Sequence, residues 1–205
     1  FGPQRGVIGG NWEKSDLKYE LWETIQSRAF PGSTSNHHLG TQLALLMAAY
    51  EMNTYKDEYQ KQVISNAKSF ARSLRDAGLQ VEGDPAEGFT KTHQVIVSVG
   101  YGAGPELAQR LEDNNLICNY QATPYEEGFT ASGALRLGSA EMTRFGFKEK
   151  DFEELAGLMA ECILNKKDVK EDVKKLRGRF TTMRYCFDDS DMDRLLDNFA
   201  ARLGV

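Results

Sequence analysis

The residue pattern predicts an α/β chain in which a small mixed sheet is packed on one face by helices. Tyr59, Val63, Ala67, Phe70, Ala71 and Leu74 share one face at helical spacing, and Gly78 supplies a C-terminal stop. In the stretch after Thr92, His93, Val95, Val97 and Val99 alternate with Gln94, Ile96 and Ser98, as a strand covered on at least one side does. Strand-like and helix-like segments then interleave to the end of the chain, the order of a layered α/β domain.

Taken in order, Val7 and Ile8 between glycines predict a short buried strand that Gly9-Gly10 ends. Trp12 to Arg28 carries Leu17, Leu21 and Ile25 at four-residue steps and predicts an amphipathic helix. Pro31-Gly32 predicts a turn, because proline fixes φ and glycine accepts positive φ. Ser33, Thr34, Ser35 and Asn36, all good helix N-caps, precede Leu39, Leu43, Leu46, Met47 and Tyr50 at helical spacing. A helix running unbroken to Ala77 would far exceed the usual length of about 11–12 residues, so a break is expected near Asn53-Thr54. That break divides the chain into residues 1–52 and 53–205.

Beyond it, Leu79–Glu82 predicts a strand and Asp84–Gly88 a turn. Glu106–Asn114 predicts a helix with Pro105 in its first turn, and Leu116–Asn119 and Ala134–Leu137 predict two further strands. Phe152, Leu155, Met159 and Ile163 predict a helix over Lys150–Leu164, and helices over Asp168–Arg177 and Asp191–Leu203 close the chain.

With 205 residues the chain can bury a real core in one or two domains. Its 25 Lys and Arg against 30 Asp and Glu, a net charge of -5, argue against nucleic acid as a partner. The basic run Lys174, Lys175, Arg177, Arg179 lies in a stretch where Val169, Val173 and Leu176 keep helical spacing, and the charges read as the solvated face of a helix. Cys118, Cys162 and Cys186 lie far apart without a CxxC spacing, which points away from disulfides and zinc and toward a reducing, cytoplasmic setting. The longest apolar run, Leu43–Tyr50, falls far short of the ~20 residues of a membrane span, so no membrane partner is expected. No basic-then-apolar leader opens the chain and no Met begins it, so it reads as a fragment of a longer protein.

Several stretches invite chemistry and lose it on inspection. Gly100–Gly104, GYGAG, resembles a dinucleotide turn, but the third glycine of that motif falls on Pro105. Asp189, Asp191 and Asp193 resemble a calcium loop, but Arg194 stands where it needs Gly and Ala200 where it needs Glu. His37, His38 and His93 lack a partner carboxylate at fixed spacing, so no metal is expected.

Two sites remain. The helix beginning after Ser35 and Asn36 exposes unpaired N–H groups and the positive end of its dipole, which suits either ordinary capping or a phosphate or carboxylate. Arg136, within the apolar strand ALRLG, calls for an anionic partner, either a structural carboxylate or a ligand.

The chain also resembles the serine hydroxymethyltransferase family, fold type I enzymes dependent on pyridoxal phosphate, over their C-terminal half. FPG with its small-residue loop and helix is similar to the segment that reaches a partner subunit's cofactor. GPQRG at Gly2–Gly6 resembles the family's GPRGG, SNAKSFARSLRDAGLQV at Ser65–Val81 its NAKAxAxxLxxxGxxV, and ASGALRLGSAEMTRFGF at Ala131–Phe147 its TSGIRxGTPAxTxRGF. The resemblance implies a homodimer with shared active sites, in which the cofactor's ring draws electrons as the bond from Cα to a hydroxylated Cβ of a small amino acid breaks or forms. It assigns Arg136 to the substrate's α-carboxylate, a bidentate task suited to guanidinium. It assigns Ser35, Asn36 and Arg5 to the cofactor, aligns Arg144 with another arginine near the pocket, where a surface or helix-cap role fits equally, and aligns His93 with a histidine read here as packed and hydrogen-bonded. The Schiff-base lysine falls a few residues ahead of Phe1, so no catalytic residue is assigned within these 205.

The chain departs from the family in three places. Glycine-glycine-proline is replaced by Ser35, Asn36 and His37, SGIR is lengthened to SGALR, and NKN, whose last residue touches folate, becomes Asn119, Tyr120, Gln121. Gln121 keeps an amide at the folate position, so tetrahydrofolate stays a candidate cofactor. A folate-independent threonine-type aldolase or transaldolase, and a non-catalytic dimerisation module of the same fold, stand as alternatives.

Overall fold

The structure is a computed structural model, and it describes every residue except 1, 5, 12, 17, 124, 126–130 and 205. The chain falls into two compact units, Phe1–Thr54 and Tyr55–Val205.

In the first unit, helix α1 spans Tyr19–Ser27, later than the predicted start at Trp12. Asp16 accepts from the Glu13 backbone N–H at 2.8 Å, and this local turn competes with helix before Tyr19. The expected strand at Val7-Ile8 does not form. Both side chains are exposed, and a strand needs a neighbour to satisfy its backbone. A wide turn at Arg28–Ser33 contains Pro31, and helix α2 then begins at Leu39. Leu39, Leu43, Leu46 and Tyr50 form an exposed apolar stripe along its first turns.

Helix α2 runs Leu39–Asp76, 38 residues, without the expected break at Asn53-Thr54. No glycine or proline stands between Thr41 and Ala77, and the Thr54 hydroxyl donates to the Tyr50 carbonyl at 3.0 Å within the helix. Gly78, at φ +97°, ends it, and the Leu79 N–H donates back to the Leu74 carbonyl at 3.0 Å.

The second unit holds a four-stranded sheet of β1 (Gln80–Val81), β2 (Gln94–Ser98), β3 (Asn119–Gln121) and β4 (Ala134–Gly138), in the order β1-β2-β4-β3. The strands, expected to mix directions, pair antiparallel throughout. β3 begins where its predicted span ends, because it forms only where it meets β4. Among the described residues, the unit also holds the second half of α2 and the helices α3 (Gly104–Asp113), α4 (Ala140–Arg144), α5 (Glu149–Leu164), α6 (Lys170–Gly178) and α7 (Asp189–Leu203). GYGAG is the turn from β2 into α3, and a Cβ on Gly104 would lie 2.3 Å from the Ser132 carbonyl oxygen. α7 is capped by Asp188, which accepts from the Asp191 N–H at 2.9 Å.

The register separates the two faces of the sheet. Val95 pairs with Leu137 and Val97 with Leu135, and all four side chains are buried in a core with Phe70 and Leu74 of α2, Leu111 of α3 and Phe152 and Met159 of α5. The opposite face carries Gln94, Ile96, Asn119, Gln121 and Arg136, all exposed or half-buried.

Candidate functional site

In the first unit, the loop before α2 borders a cavity of about 450 Å³ lined by Gly6, Asn36, His37, His38, Thr41 and Gln42, among others. Asn36 turns its Oδ1 to the His37 N–H at 2.8 Å, which keeps its Nδ2 as a donor. The Phe30 ring stacks on the His37 imidazole, with centroids 6.5 Å apart. The cavity thus gathers amide, imidazole and hydroxyl groups at the N-terminus of a 38-residue helix, a donor set suited to an anion. Ser35 is exposed and does not line it. Arg5 lies outside the described residues, while its neighbour Gly6 lines the cavity.

In the second unit, Arg136 is exposed on the open face of the sheet. The cost of burying a charge therefore does not arise, and the inference drawn from its apolar strand gives way to a different one. Among the described residues, Arg136 has no ion-pair partner, so its guanidinium is available to a ligand. β3 places Asn119 directly opposite Arg136, and Gln121 opposite Ala134, two residues along. Directly paired side chains on one face approach closely, and diagonal neighbours stay within reach of long ones. Arg136 and Gln121, picked out separately in the sequence, therefore stand on one surface.

The pairing of β3 with β4 stops at Arg136, and a cavity of about 440 Å³ opens there, lined by Arg136, Leu137, Gly138, Ile117, Cys118 and Met142, among others. Burial, with a smaller contribution from Glu112, pushes the Cys118 thiol up to about 11.

Arg144 ends α4 and is half-buried. Its carbonyl accepts from the Arg184 N–H at 2.7 Å. Its positive charge lowers the Tyr59 phenol's pKa, which burial raises by more. His93, read as packed, is exposed, and among the described residues its carbonyl is engaged by Ser139. It stands just outside β2, where alternation no longer dictates burial.

A buried polar cluster was missed in the sequence. Asn66, Ser139 and Thr143 are fully buried and bind one another's segments. The available signal was Asn66, a polar residue inside the apolar stripe of Val63, Ala67 and Phe70.

Among the described residues, no helix is long and apolar enough to cross a membrane, and no group of three His, Cys, Asp or Glu is placed to hold a metal.

The serine hydroxymethyltransferase from Archaeoglobus fulgidus is 39% identical over 197 residues, 93% of this chain and 43% of that protein. That from Korarchaeum cryptofilum is 38% identical over 197 residues, 92% of this chain and 44% of its own. The chain thus spans less than half the length of these relatives. The crystal structure of L-threonine transaldolase from Pseudomonas fluorescens, in an internal aldimine state, matches with a TM-score of 0.78 at 30% identity, over 91% of this chain and 43% of that one. The family model described as serine hydroxymethyltransferase matches residues 3–159, a span that takes in the loop before α2, the whole sheet and Arg136. On that match, the chain belongs to the serine hydroxymethyltransferase family.

Proposed function

We propose that this chain is the C-terminal part of a pyridoxal phosphate-dependent enzyme that makes or breaks the Cα–Cβ bond of a small β-hydroxy amino acid, interconverting serine and glycine. The observation that carries the reading is Arg136, an exposed guanidinium with no ion-pair partner among the described residues, at the position where the family's motif places its carboxylate clamp. A bidentate pair there orients the amino acid and fixes which Cα bond is presented for cleavage. When bound, the cofactor supplies an electron sink for that cleavage.

The donors around the first cavity fit the cofactor's phosphate: the Asn36 amide, the His37 and His38 imidazoles, the Thr41 hydroxyl and the start of α2. Asn36 would hold the phosphate, with Ser35 and Arg5 beside it in the chain. Residues 1–52 are assigned to the end of the cofactor domain and residues 53–205 to the small domain, an assignment supported by the division of the chain into compact units after Thr54. A homodimer with shared sites belongs to the same proposal, supported by the exposed stripe of Leu39, Leu43, Leu46 and Tyr50. A reducing, cytoplasmic setting is supported by three cysteines that are all free.

A second reading, a folate-independent aldolase or transaldolase acting on threonine-like substrates, is favoured by Asn119-Tyr120-Gln121 in place of NKN and by the 30% identity to the transaldolase. The two are separated by assaying the full-length protein for tetrahydrofolate-dependent serine cleavage and for aldehyde release from threonine analogues. Serine cleavage that requires folate supports the first; aldehyde release alone supports the second; neither activity overturns both.

A further inference from the structure

We infer that Asn66, Ser139 and Thr143 form a positioning network that holds Arg136 in place, an inference that rests on Arg136 binding the substrate carboxylate. Asn66 of α2 donates through Nδ2 to Thr143 Oγ1 and to the Phe147 carbonyl, each at 2.8 Å, and its Oδ1 accepts from Gln62 Nε2 at 2.9 Å. Thr143 Oγ1 donates to the Ser139 carbonyl at 2.7 Å. Ser139 Oγ lies 3.0 Å from the Val63 carbonyl and 3.3 Å from the His93 carbonyl, and its N–H donates to that same His93 carbonyl at 3.0 Å. One helical turn earlier, the Tyr59 hydroxyl donates to the Ala140 carbonyl at 3.0 Å.

These bonds converge on one short segment. Tyr59, Val63 and Asn66 stand at i, i+4 and i+7 on α2, and the groups they hold all lie between Ser139 and Phe147, directly after β4. Ser139 is three residues from Arg136, with Gly138 between it and Leu137, so an unpinned exit would let the end of β4 shift. Beyond Arg136, β4 has no β3 partner, which leaves the register with β2 and this network to fix it. Each of the three polar side chains is fully buried and satisfied by these partners, so loss of one hydroxyl strands its partners without water. These are positioning residues: they act on substrate only through Arg136.

The test uses full-length enzyme loaded with its cofactor, and compares Thr143→Val, nearly isosteric but without the hydroxyl, with Thr143→Ser, which retains it. Thr143→Val is expected to raise KM for the amino acid about tenfold with kcat within about twofold and the cofactor's absorbance unchanged, and Thr143→Ser to restore KM. In an Arg136→Ala background, Thr143→Val is expected to add no further change in kcat/KM. A lowered melting temperature with unchanged KM overturns the inference, as does an equal loss of kcat/KM with and without Arg136. If Arg136→Ala itself leaves KM unchanged, the carboxylate reading has failed first. Should Thr143→Val not fold, Ser139→Ala gives the same comparison with a smaller deletion.

Discussion

Asn119 and Arg136 are direct cross-strand partners on the open face of the sheet, and Gln121 follows opposite Ala134. The pairing puts an amide beside a guanidinium that has no carboxylate of its own among the described residues. In full-length enzyme, Arg136→Ala is expected to lower kcat/KM for the amino acid about 100-fold, with most of the change in KM. Arg136→Lys keeps the charge but loses the fork and is expected to recover only part of it. Steady-state kinetics decide; unchanged values remove Arg136 from the site.

Gln121 shares that face, two residues along the strand from Asn119. If it serves the folate, Gln121→Leu raises KM for tetrahydrofolate about tenfold, the cost of roughly one hydrogen bond, while aldehyde release from threonine analogues is unaltered. Equal losses in both assays would assign Gln121 to the shared amino acid step instead.

Glu149 gives an acid-sensitive contribution to stability. Hydrogen bonds hold its carboxyl below the ordinary carboxylate range, chiefly that from Ser65 Oγ, with a further one from Gln62 Nε2 at 3.1 Å. A folded-state pKa below the unfolded one stabilises the protein above the unfolded value, and the gain fades as pH falls through the folded value. Ser65→Ala is therefore expected to cost roughly 1 kcal/mol at pH 7, the group being partly solvated, and less below about pH 4. Denaturant unfolding at the two pH values measures the difference; an equal cost at both would assign the loss to packing.

Cys118, its thiol raised to about 11, is expected to resist alkylation near neutral pH, because the thiolate is the reactive form. At pH 8 only about one thiol in a thousand would be ionised, and the iodoacetamide labelling rate, followed by mass spectrometry, should climb with pH up to about 11. Glu112→Gln should speed it modestly, since Glu112 adds to the shift. A plateau near pH 8 would contradict the assignment.

Phe152 is fully buried, with ring centroids 5.2 Å from Phe70 and 5.4 Å from Phe147. Phe152→Ala is expected to destabilise the second unit by about 3–5 kcal/mol through lost burial and a residual cavity. A loss under about 1 kcal/mol by denaturant unfolding would show that the core collapses around the gap.

Several elements were legible because they depend on nearest neighbours. The stripe of Tyr59, Val63, Ala67, Phe70 and Leu74 is buried as its spacing required, and Val95 and Val97 are buried as alternation required. Elements that depend on distant partners were read less well. Val7-Ile8 has the composition of a strand but remains exposed, and β3 starts at Asn119, opposite Arg136, where its pairing with β4 begins. Asn53-Thr54 weakens a helix only slightly, and the residues on either side carry α2 through it.

The order of residues by itself determined the family, the helical stripes and the identity of Arg136 and Gln121 as candidates, since each is written in motif and local period. Only the tertiary structure decided that Arg136 is exposed and not buried, that it shares a face with Asn119 and Gln121, and that Asn66, Ser139 and Thr143 join α2 to the end of β4. The physical reason is range: periodicity follows from backbone geometry within a few residues, whereas strand register and the partners of a buried hydroxyl are set by segments more than seventy residues apart in the case of Asn66 and Thr143, a separation of 77.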